Sequence, residues 1–413
     1  MKIAIIGGGA AGMTAAYLLD KVHDVTLFEK APILGGNIKT LNRNIHCDVL
    51  DNSITLDNGV VEFQRDNFPN FYKLMHDLQV QLEEVAISSE LFLADGHYYK
   101  SAGAIRYGCK TKREQIITSL KQMPIMFSYL CFLARISSAD QKSFRDRPVS
   151  DFLGNSINAR WQKMLLMYAY SMPYNMIDSF PAEIAIPLLR QSGMSITWDR
   201  IVGGVYIYIE KILSRLQGSI HCNANIMGIS RTATGVQIKF TNGEQQYYDK
   251  VIFATTPDQI LALLQDPSEN ETKRFQAWQA NVIDTCIHTD TSMYKHFGVS
   301  YFCEFDLFQN QKNGGGSYNA YLDRLCGVTP EADTHYSLAY NLEQQIDPKK
   351  IIDVQQHTTP SYNVEAIHYR QEVLQTNGEN NTYHAGAYLF DGLHEGAIRS
   401  AFTVSNLLGG LRL

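Results

Sequence analysis

Three glycines near the start of the chain have the spacing Gly-x-Gly-x-x-Gly, and they are Gly7, Gly9 and Gly12. They follow an apolar run at residues 2–6 that predicts a buried strand, and residues 13–20 predict a helix. In such a unit the first glycine makes the tight turn, the second lets backbone approach a pyrophosphate, and the third lets the helix pack closely. Phosphate binds where the helix N-terminus presents free N–H groups. The pattern predicts a site for the ADP half of a dinucleotide, lined also by Ala10 and Ala11.

An acidic residue closes the second predicted strand of this unit. Glu29 follows the strand at residues 25–28 and lies 17 residues after Gly12. A carboxylate there accepts hydrogen bonds from ribose hydroxyls and disfavours a 2′-phosphate. We therefore assign Glu29, with the adjacent Lys30, to the cofactor site, and the fingerprint alone leaves FAD and NAD open.

A second pair of glycines favours FAD. Five residues separate Glu29 from Gly35 and Gly36, and Asn37 follows them. This order resembles the flavoprotein pattern of the flavin-containing amine oxidase superfamily, with the nearest likeness to a bacterial group of predicted NAD/FAD-binding proteins. The resemblance implies that Gly35 and Gly36 lie beside the pyrophosphate and ribitol of FAD. Asn37 stands where many relatives have arginine.

The C-terminal part of the chain resembles the other half of such a site. Residues 382–388 predict a strand and turn, and a last helix is predicted from about residue 391 to 408. In the superfamily this helix directs its N-terminus at the flavin pyrimidine, where the dipole stabilises negative charge. The resemblance implies that Gly386, Gly396, Ala397 and Ile398 lie along the ribitol and isoalloxazine. Ala387, which stands where many amine oxidases have an acid, is also assigned to the cofactor site. No cysteine lies near this turn, so we expect FAD to bind non-covalently.

A middle segment completes the resemblance. A Gly-Gly turn at residues 203–204 begins a helical stretch, and Asn242-Gly243 predicts a hairpin. The apolar run at residues 250–257 predicts a further strand. In relatives the strand before the hairpin contacts adenine through its backbone, which here implies Ile226.

The predicted fold class is α/β, with a Rossmann-like FAD-binding domain and a discontinuous second α+β substrate domain. Residues 1–75, 198–265 and 366–413 are assigned to the FAD-binding domain. Residues 76–197 are predicted to form the helical cap of the substrate domain, and residues 266–365 its antiparallel sheet. The strand-like runs of that sheet are at residues 283–289, 301–305, 317–322 and 336–340.

Candidate catalytic residues follow less directly, because in flavoenzymes the cofactor performs the redox step. His394 and Glu395 lie in the turn predicted to meet the flavin; alternatively Glu395 caps the last helix and His394 packs under the ring. His288 is a candidate for proton transfer, with a structural role as the alternative. Tyr340 and Tyr388 are candidates for aromatic walls of the substrate site. Several amine oxidases have a lysine near flavin N5, and the comparable residues 284–289 contain none.

Composition limits the other classes of function. Hydrophobic residues make up 45% and charged residues 19% of 413 residues, which is typical of a globular protein. The net charge of −6 and the lack of a basic tract argue against nucleic-acid binding. Seven scattered cysteines without a Cys-x-x-Cys pair predict reduced thiols in the cytoplasm and no metal site. The first strand begins at Lys2, so no signal peptide is expected.

One segment bears on membranes. No stretch reaches the roughly 18 apolar residues that a transmembrane helix needs, and residues 123–134 come nearest. They are predicted to be a buried helix of the second domain. The alternative is a lipid-facing entrance to a substrate tunnel, with peripheral membrane contact.

The leading functional hypothesis is an FAD-dependent oxidoreductase that transfers hydride between flavin and an apolar small molecule. An unsaturated, lipid-like substrate is favoured, with desaturation or isomerisation as the reaction. The alternatives are an amine oxidase that makes an imine and hydrogen peroxide, and an FAD-binding subunit without turnover. The sequence leaves the oligomeric state open.

Overall fold

The computed structural model describes residues 1–191, 197–299, 301–310, 315–331 and 334–413. The strands in chain order are β1 Lys2–Ile6, β2 Asp24–Phe28, β3 Ile38–Thr40, β4 Asp57–Gly59, β5 Phe63–Gln64, β6 Leu82–Val85, β7 Glu90–Phe92, β8 Tyr98–Lys100, β9 Trp198–Ile201, β10 Ser219–His221, β11 Ile226–Thr232, β12 Gly235–Phe240, β13 Gln245–Tyr248, β14 Lys250–Phe253, β15 Gln279–His288, β16 Asp306–Gln309, β17 Gly316–Tyr321, β18 Ser337–Tyr340, β19 Ile351–Ser361 and β20 Thr382–His384.

The α-helices are α1 Ala10–Leu19, α2 Pro69–Asp77, α3 Ala102–Gly108, α4 Lys112–Ser138, α5 Ser150–Leu153, α6 Ile157–Tyr170, α7 Ala182–Gln191, α8 Ile207–Leu213, α9 Ile260–Leu263, α10 Glu269–Gln276, α11 Leu322–Leu325, α12 Val364–His368, α13 Arg370–Gln375 and α14 His394–Leu407. Short 3-10 helices lie at Gln141–Phe144, Tyr174–Ser179, Pro257–Gln259, Ser292–Phe297, Pro348–Lys350, Glu379–Asn381 and Ala387–Leu389.

A five-stranded parallel sheet forms the nucleotide-binding part of the molecule. Its strand order is β10-β2-β1-β14-β20, and every pairing is parallel. Central strand β1 is buried from Ile3 to Ile6. Ile3 and Ile5 belong to a core cluster with helices α1, α8 and α14, whereas Ala4 and Ile6 belong to a cluster with the three-stranded sheet β11-β12-β13. The predicted Rossmann-like unit is confirmed, and strands from three distant parts of the chain share its sheet.

A mixed sheet of seven strands forms the second large layer, in the order β19-β15-β18-β17-β16-β7-β8. Its pairings are antiparallel except for β16 beside β7. Three of the four predicted strands are present, but the strand predicted at residues 301–305 is wrong. There the backbone bonds to side chains and to a distant loop instead: the Cys303 amide donates to Asp306, and the Phe305 amide to the Ser88 carbonyl.

Strand β19 was not predicted. It is an edge strand of mixed polarity, and it pairs with β15 along its whole length. Pro360 lies within this strand. In a sequence, proline argues against a central strand, but an edge strand tolerates it.

Helices α3 to α7 lie in the segment 76–197 that is predicted to form the cap, although β7 and β8 of the same segment belong to the seven-stranded sheet. Helix α4 corrects one prediction about this segment. Residues 123–134 were expected to be buried, but in α4 only Gln122, Phe132 and Ile136 are buried. The helix is long and apolar enough to cross a membrane by length and composition. Its apolar residues are therefore a surface of the cap rather than its core.

Helix α14 fastens the last part of the chain to the first through a buried carboxylate. Glu395 is 4% exposed and accepts hydrogen bonds from the backbone amides of Asn70 (3.2 Å) and Phe71 (2.9 Å). It thus caps the start of α2, whose first amides have no partner within the helix. The expectation that Glu395 caps its own helix is wrong. Asp391 does so, because its Oδ1 accepts from the amides of Leu393 (2.8 Å) and Gly396 (2.9 Å).

Glu395→Ala is expected to destabilise the protein by about 1–3 kcal/mol, because it leaves buried amides of α2 unpaired. The free energy of unfolding in urea measures the loss. Glu395→Gln is the matched control and should lose less, since its amide oxygen can still accept one of the bonds. Equal stability of Glu395→Ala and wild type would contradict this role.

Candidate functional site

One large cavity runs through the molecule between the parallel sheet and the helical cap. Its volume is about 1820 Å³, and it is partly open to the surface. Pockets for drug-sized ligands typically occupy about 300–1,000 Å³, so this one has room for a large cofactor together with a substrate. One end is lined by the glycine motifs, and the other by side chains of α4, α6 and α7.

The floor of the cavity is built from two glycine-rich segments in contact. Gly9 and Gly35 form an isolated parallel bridge, and the Gly35 amide donates to the Gly8 carbonyl at 2.9 Å. Gly7 has φ +108°, and a Cβ there would lie 2.7 Å from the Ala254 carbonyl oxygen. Only glycine fits this turn.

Gly9 and Gly12 have different reasons to be glycine. A Cβ on Gly12 would overlap the Gly7 carbonyl, so this residue sets the close packing of α1 on the turn. Gly9 has an ordinary φ of −78°, and the nearest atom to a Cβ there is 3.9 Å away. The space beside Gly9 is therefore part of the cavity, at the N-terminus of α1, where phosphate binds favourably.

The predicted ribose acid lies where the motif requires it. Glu29 lines the cavity, and its carboxylate accepts from the amides of Gly8 (2.6 Å) and Ala31 (2.8 Å). These bonds fix its orientation and leave acceptor capacity for hydroxyl groups. Lys30 lines the same part of the cavity.

The predicted cofactor residues fall into two groups, those that line the cavity and those that do not. Those that line the cavity are Gly7, Gly9, Ala10, Ala11, Glu29, Lys30, Gly35, Gly36, Asn37, Ile226, Gly386, Ala387 and Ala397. Ile226 lies at a bulge that begins β11. The side-chain amide of Asn37 is occupied by the backbone of Thr358, with bonds of 2.9 and 3.3 Å. Gly12, Gly396 and Ile398 are not in the cavity wall: Gly12 and Gly396 permit close packing, and Ile398 is a fully buried core residue.

These residues fit FAD. The cavity has free space beside Gly9 at the N-terminus of α1, where a pyrophosphate would fit, and it continues to Gly386 and Ala397 near the start of α14.

His394 lines the cavity at the first residue of α14. Its Nε2 lies 3.0 Å from the Tyr208 hydroxyl, and its ring packs edge-on against Phe63 and Phe71. Burial lowers the pKa of His394 to about 4. The imidazole ring is therefore neutral at physiological pH, and it contributes a polar but uncharged side chain to the cavity wall.

The other predicted catalytic residues lie outside the cavity wall. Glu395 is committed to capping α2. His288 is fully buried in the seven-stranded sheet, where its Nε2 lies 2.8 Å from Asn319 Oδ1, and burial lowers its pKa. Tyr340 packs against Tyr318 on the same sheet. This geometry argues against a catalytic role for these three residues, whereas Tyr388 does line the cavity.

A carboxyl group that sequence reasoning missed lies in the cavity wall. Oε1 of Glu62 accepts from the Tyr168 hydroxyl at 2.9 Å, and its buried Oε2 has no partner among the described residues. Burial raises the pKa of Glu62 to about 7, although the bond from Tyr168 acts in the opposite direction. The available signal was a single acid in the apolar run Val60-Val61-Glu62-Phe63. Acids are rarely buried without a function or a partner.

A buried polar cluster adjoins the same cavity. His357 lines the wall, and its Nε2 lies 3.0 Å from both Asn58 Oδ1 and Thr285 Oγ1. Burial lowers the pKa of His357 to about 4, and the nearby Lys39 acts in the same direction. His357 is thus a second neutral imidazole in the wall.

Comparison of the sequence with known proteins identifies the N-terminal unit. Residues 5–78 match a family described as an NAD(P)-binding Rossmann-like domain. A stretch of 39 residues is 54% identical to zeta-carotene desaturase of Zea mays, covering 9% of this chain and 7% of that protein. Another of 41 residues is 49% identical to an uncharacterized protein of Methanocaldococcus jannaschii and covers 10% of each. The matched stretches thus span a tenth or less of these curated relatives.

Solved structures resemble the whole chain. Putrescine oxidase bound to putrescine has a TM-score of 0.68 at 14% identity, and the match covers 99% of each chain. A fatty acid isomerase from P. acnes has a TM-score of 0.67 at 16% identity, over 98% of this chain and 97% of the other. Cyclohexylamine oxidase from Brevibacterium oxydans IH-35A has a TM-score of 0.66 at 11% identity, over 99% of each. The chain therefore has the same fold as these two oxidases and this isomerase, and its residues 5–78 are similar to an NAD(P)-binding Rossmann-like domain.

Proposed function

We propose that the protein is an FAD-dependent oxidoreductase that acts on an apolar, unsaturated and lipid-like substrate by desaturation or isomerisation. The observation that carries the proposal is the single cavity that joins the glycine cradle to an apolar chamber. A substrate in the chamber would therefore share one continuous cavity with a dinucleotide in the cradle. The fold supports the class of cofactor, since the solved structures it resembles include oxidases and a fatty acid isomerase.

The cradle would hold FAD without a covalent bond. Gly9, Gly36 and the start of α1 would receive the pyrophosphate, and Glu29 the ribose hydroxyls. Among the described residues that line the cavity there is no cysteine, which supports non-covalent binding. When bound, FAD supplies an acceptor or a donor of hydride.

The chamber favours an apolar substrate. The cap contributes Ile125 and Leu133 from α4, Trp161 and Leu165 from α6, and Leu188 from α7. These side chains exclude water and offer no charge to a polar substrate. An extended hydrocarbon fits such a wall, because the favourable free energy of burial grows with the apolar area removed from water.

Glu62 and Tyr168 would handle the proton of the reaction. Desaturation removes a hydride from one carbon and a proton from its neighbour, and the electron pair left behind forms the new double bond. A carboxyl group with a pKa of about 7 is partly ionised at physiological pH and can accept that proton. Tyr168 orients the group through its hydrogen bond to Oε1.

Amine oxidation is the second candidate, and the same carboxyl group favours it. An ionised Glu62 could pair with a substrate ammonium, and two of the similar solved structures are amine oxidases by name. Against it, β15 contains no lysine at the place where several amine oxidases have one.

Anaerobic addition of substrate to the purified flavoprotein tests the proposal. We expect unsaturated fatty acids, and not di- or monoamines, to bleach the flavin absorbance near its visible maximum or to be isomerised without bleaching. Product analysis by mass spectrometry separates desaturation from isomerisation. Bleaching by amines alone would select the second candidate, and no reaction with either class would favour a flavin subunit without turnover.

Gly9→Val tests the cradle. A Cβ at Gly9 makes only ordinary contacts with protein atoms, at 3.9 Å or more, but the side chain enters the space assigned to the pyrophosphate, so FAD affinity should fall about a hundredfold or more. The melting temperature and far-UV circular dichroism of the flavin-free protein should stay as in wild type. Gly12→Val is the contrasting variant, because it should disrupt the fold itself by overlapping the Gly7 carbonyl. A Gly9→Val protein that purifies with flavin would refute the placement.

Glu62→Gln tests the buried carboxyl group through pH. In the unfolded chain Glu62 ionises near pH 4.5, but in the folded protein it keeps its proton until about pH 7. The free energy of unfolding of wild type should therefore fall by up to about 3 kcal/mol through this group as pH rises from 4.5 to 7. Glu62→Gln should lack this fall, because glutamine does not ionise. Urea unfolding at pH 5 and pH 8 measures the difference, with exposed Glu379→Gln as the control. An equal pH dependence in Glu62→Gln and wild type would show that the carboxyl group is ionised normally.

A further inference from the structure

Exposed apolar side chains are concentrated on helix α4. The described chain has sixteen large apolar side chains that are exposed, and seven of them lie between Ile116 and Leu130 of this helix. Phe127 is 69% exposed and Ile116 is 62% exposed. Single exposed apolar residues are ordinary on protein surfaces, whereas a contiguous group marks an interaction site.

Five of these residues form one continuous row, which we call the apolar stripe. It consists of Ile116, Leu120, Met123, Phe127 and Leu130. Their spacing of four, three, four and three residues places them on one side of an α-helix over about four turns. The stripe thus faces away from the protein as a single surface.

The apolar stripe meets the mouth of the cavity. A neighbouring side of α4 lines the cavity through residues such as Ile125 and Tyr129. Met126 and Leu130 are both exposed at the surface and in the cavity wall. The stripe therefore lies beside the cavity and shares residues with its wall.

The segment of the chain that contains the stripe has a net charge opposite to that of the rest of the sequence. Residues 106–147 contain nine Lys and Arg and three Asp and Glu, a net charge of +6 in a chain whose net charge is −6. The rest of the chain therefore carries −12. Lys110, Lys112, Arg113 and Lys121 are exposed, and the structure shows no ion pair for them among the described residues. A basic rim around an apolar helix face is typical of helices that lie in the surface of an anionic membrane.

We propose that α4 binds the surface of an anionic phospholipid bilayer, with the apolar stripe inserted among the acyl chains and the basic residues at the headgroups. The helix lies in the interface and does not span the bilayer. Although the whole helix is long and apolar enough to cross a membrane, its uncharged run covers only residues 122–134, and Phe132 and Ile136 are buried against other parts of the protein. The biological role of this binding rests on the proposed function, because a lipid-like substrate would pass from the bilayer into the cavity.

Vesicle flotation of the full-length flavoprotein tests the proposal. We expect binding to vesicles of phosphatidylcholine with phosphatidylglycerol, little binding to phosphatidylcholine alone, and weaker binding at high salt. Leu120→Ser combined with Phe127→Ser should weaken binding at least about tenfold, since two inserted side chains are removed. Neither residue lines the cavity. Val49→Ser combined with Val354→Ser removes two exposed apolar side chains elsewhere and should leave binding unchanged.

A second pair of variants tests the charges. Lys112→Gln with Lys121→Gln should weaken binding to the anionic vesicles by about fivefold for each residue, whereas Lys21→Gln with Lys273→Gln should not. No binding to anionic vesicles, or equal binding by the stripe variant, would overturn the proposal. So would a wild-type dimer that the stripe variant converts to a monomer, because the stripe would then be covered by a second copy of the chain.

Vesicle binding is measured without turnover, so its failure is distinct from failure of the proposed function. If a lipid is the substrate, the stripe variant should react slowly with substrate held in vesicles and normally with the same substrate in detergent. If the protein binds vesicles but reacts with no lipid, membrane binding by α4 would be supported and the proposed reaction would be wrong.

Discussion

The close approach of β1, α1 and the second glycine pair is the constraint on which the rest of the structure depends. Gly12 lies so near the Gly7 carbonyl that no side chain fits between them, and a Cβ on Gly36 would lie only 3.1 Å from Gly9 Cα. This packing brings the N-terminus of α1 to the cavity floor, with its unpaired amides towards the cofactor space. The other elements are arranged around that point, since β14 and β20 extend the same sheet and α14 packs on α1.

Local patterns carried the predictions that succeeded. The glycine spacing, the strand that ends in Glu29 and the Asn242-Gly243 turn each depend on residues close in sequence, and the structure contains all of them. Such features are determined by backbone geometry that only certain residue types permit. The fold class follows from them because few architectures place a dinucleotide motif, a hairpin and a final strand in this order.

The failures came from contacts that the sequence does not encode locally. Glu395 caps a helix that begins more than 300 residues earlier, and its role depends on how α14 packs beside α2. Helix α4 is apolar enough to be core, but one of its sides faces the cavity and another faces outward. Glu62 gains its character from Tyr168 and from burial under the cap. A buried carboxyl group with a raised pKa is expected to lower stability at neutral pH, so its presence indicates a functional role.

The sheet order has a consequence for how the protein is made. Strand β1 is synthesised well before its neighbour β14, which begins at Lys250, and the sheet is completed only by β20 at Thr382–His384. At ordinary rates of translation an apolar central strand waits on the order of tens of seconds for its partner. During that interval the apolar strand is exposed to aggregation, and the parallel sheet that carries the glycine motif is complete only after β20 has been synthesised.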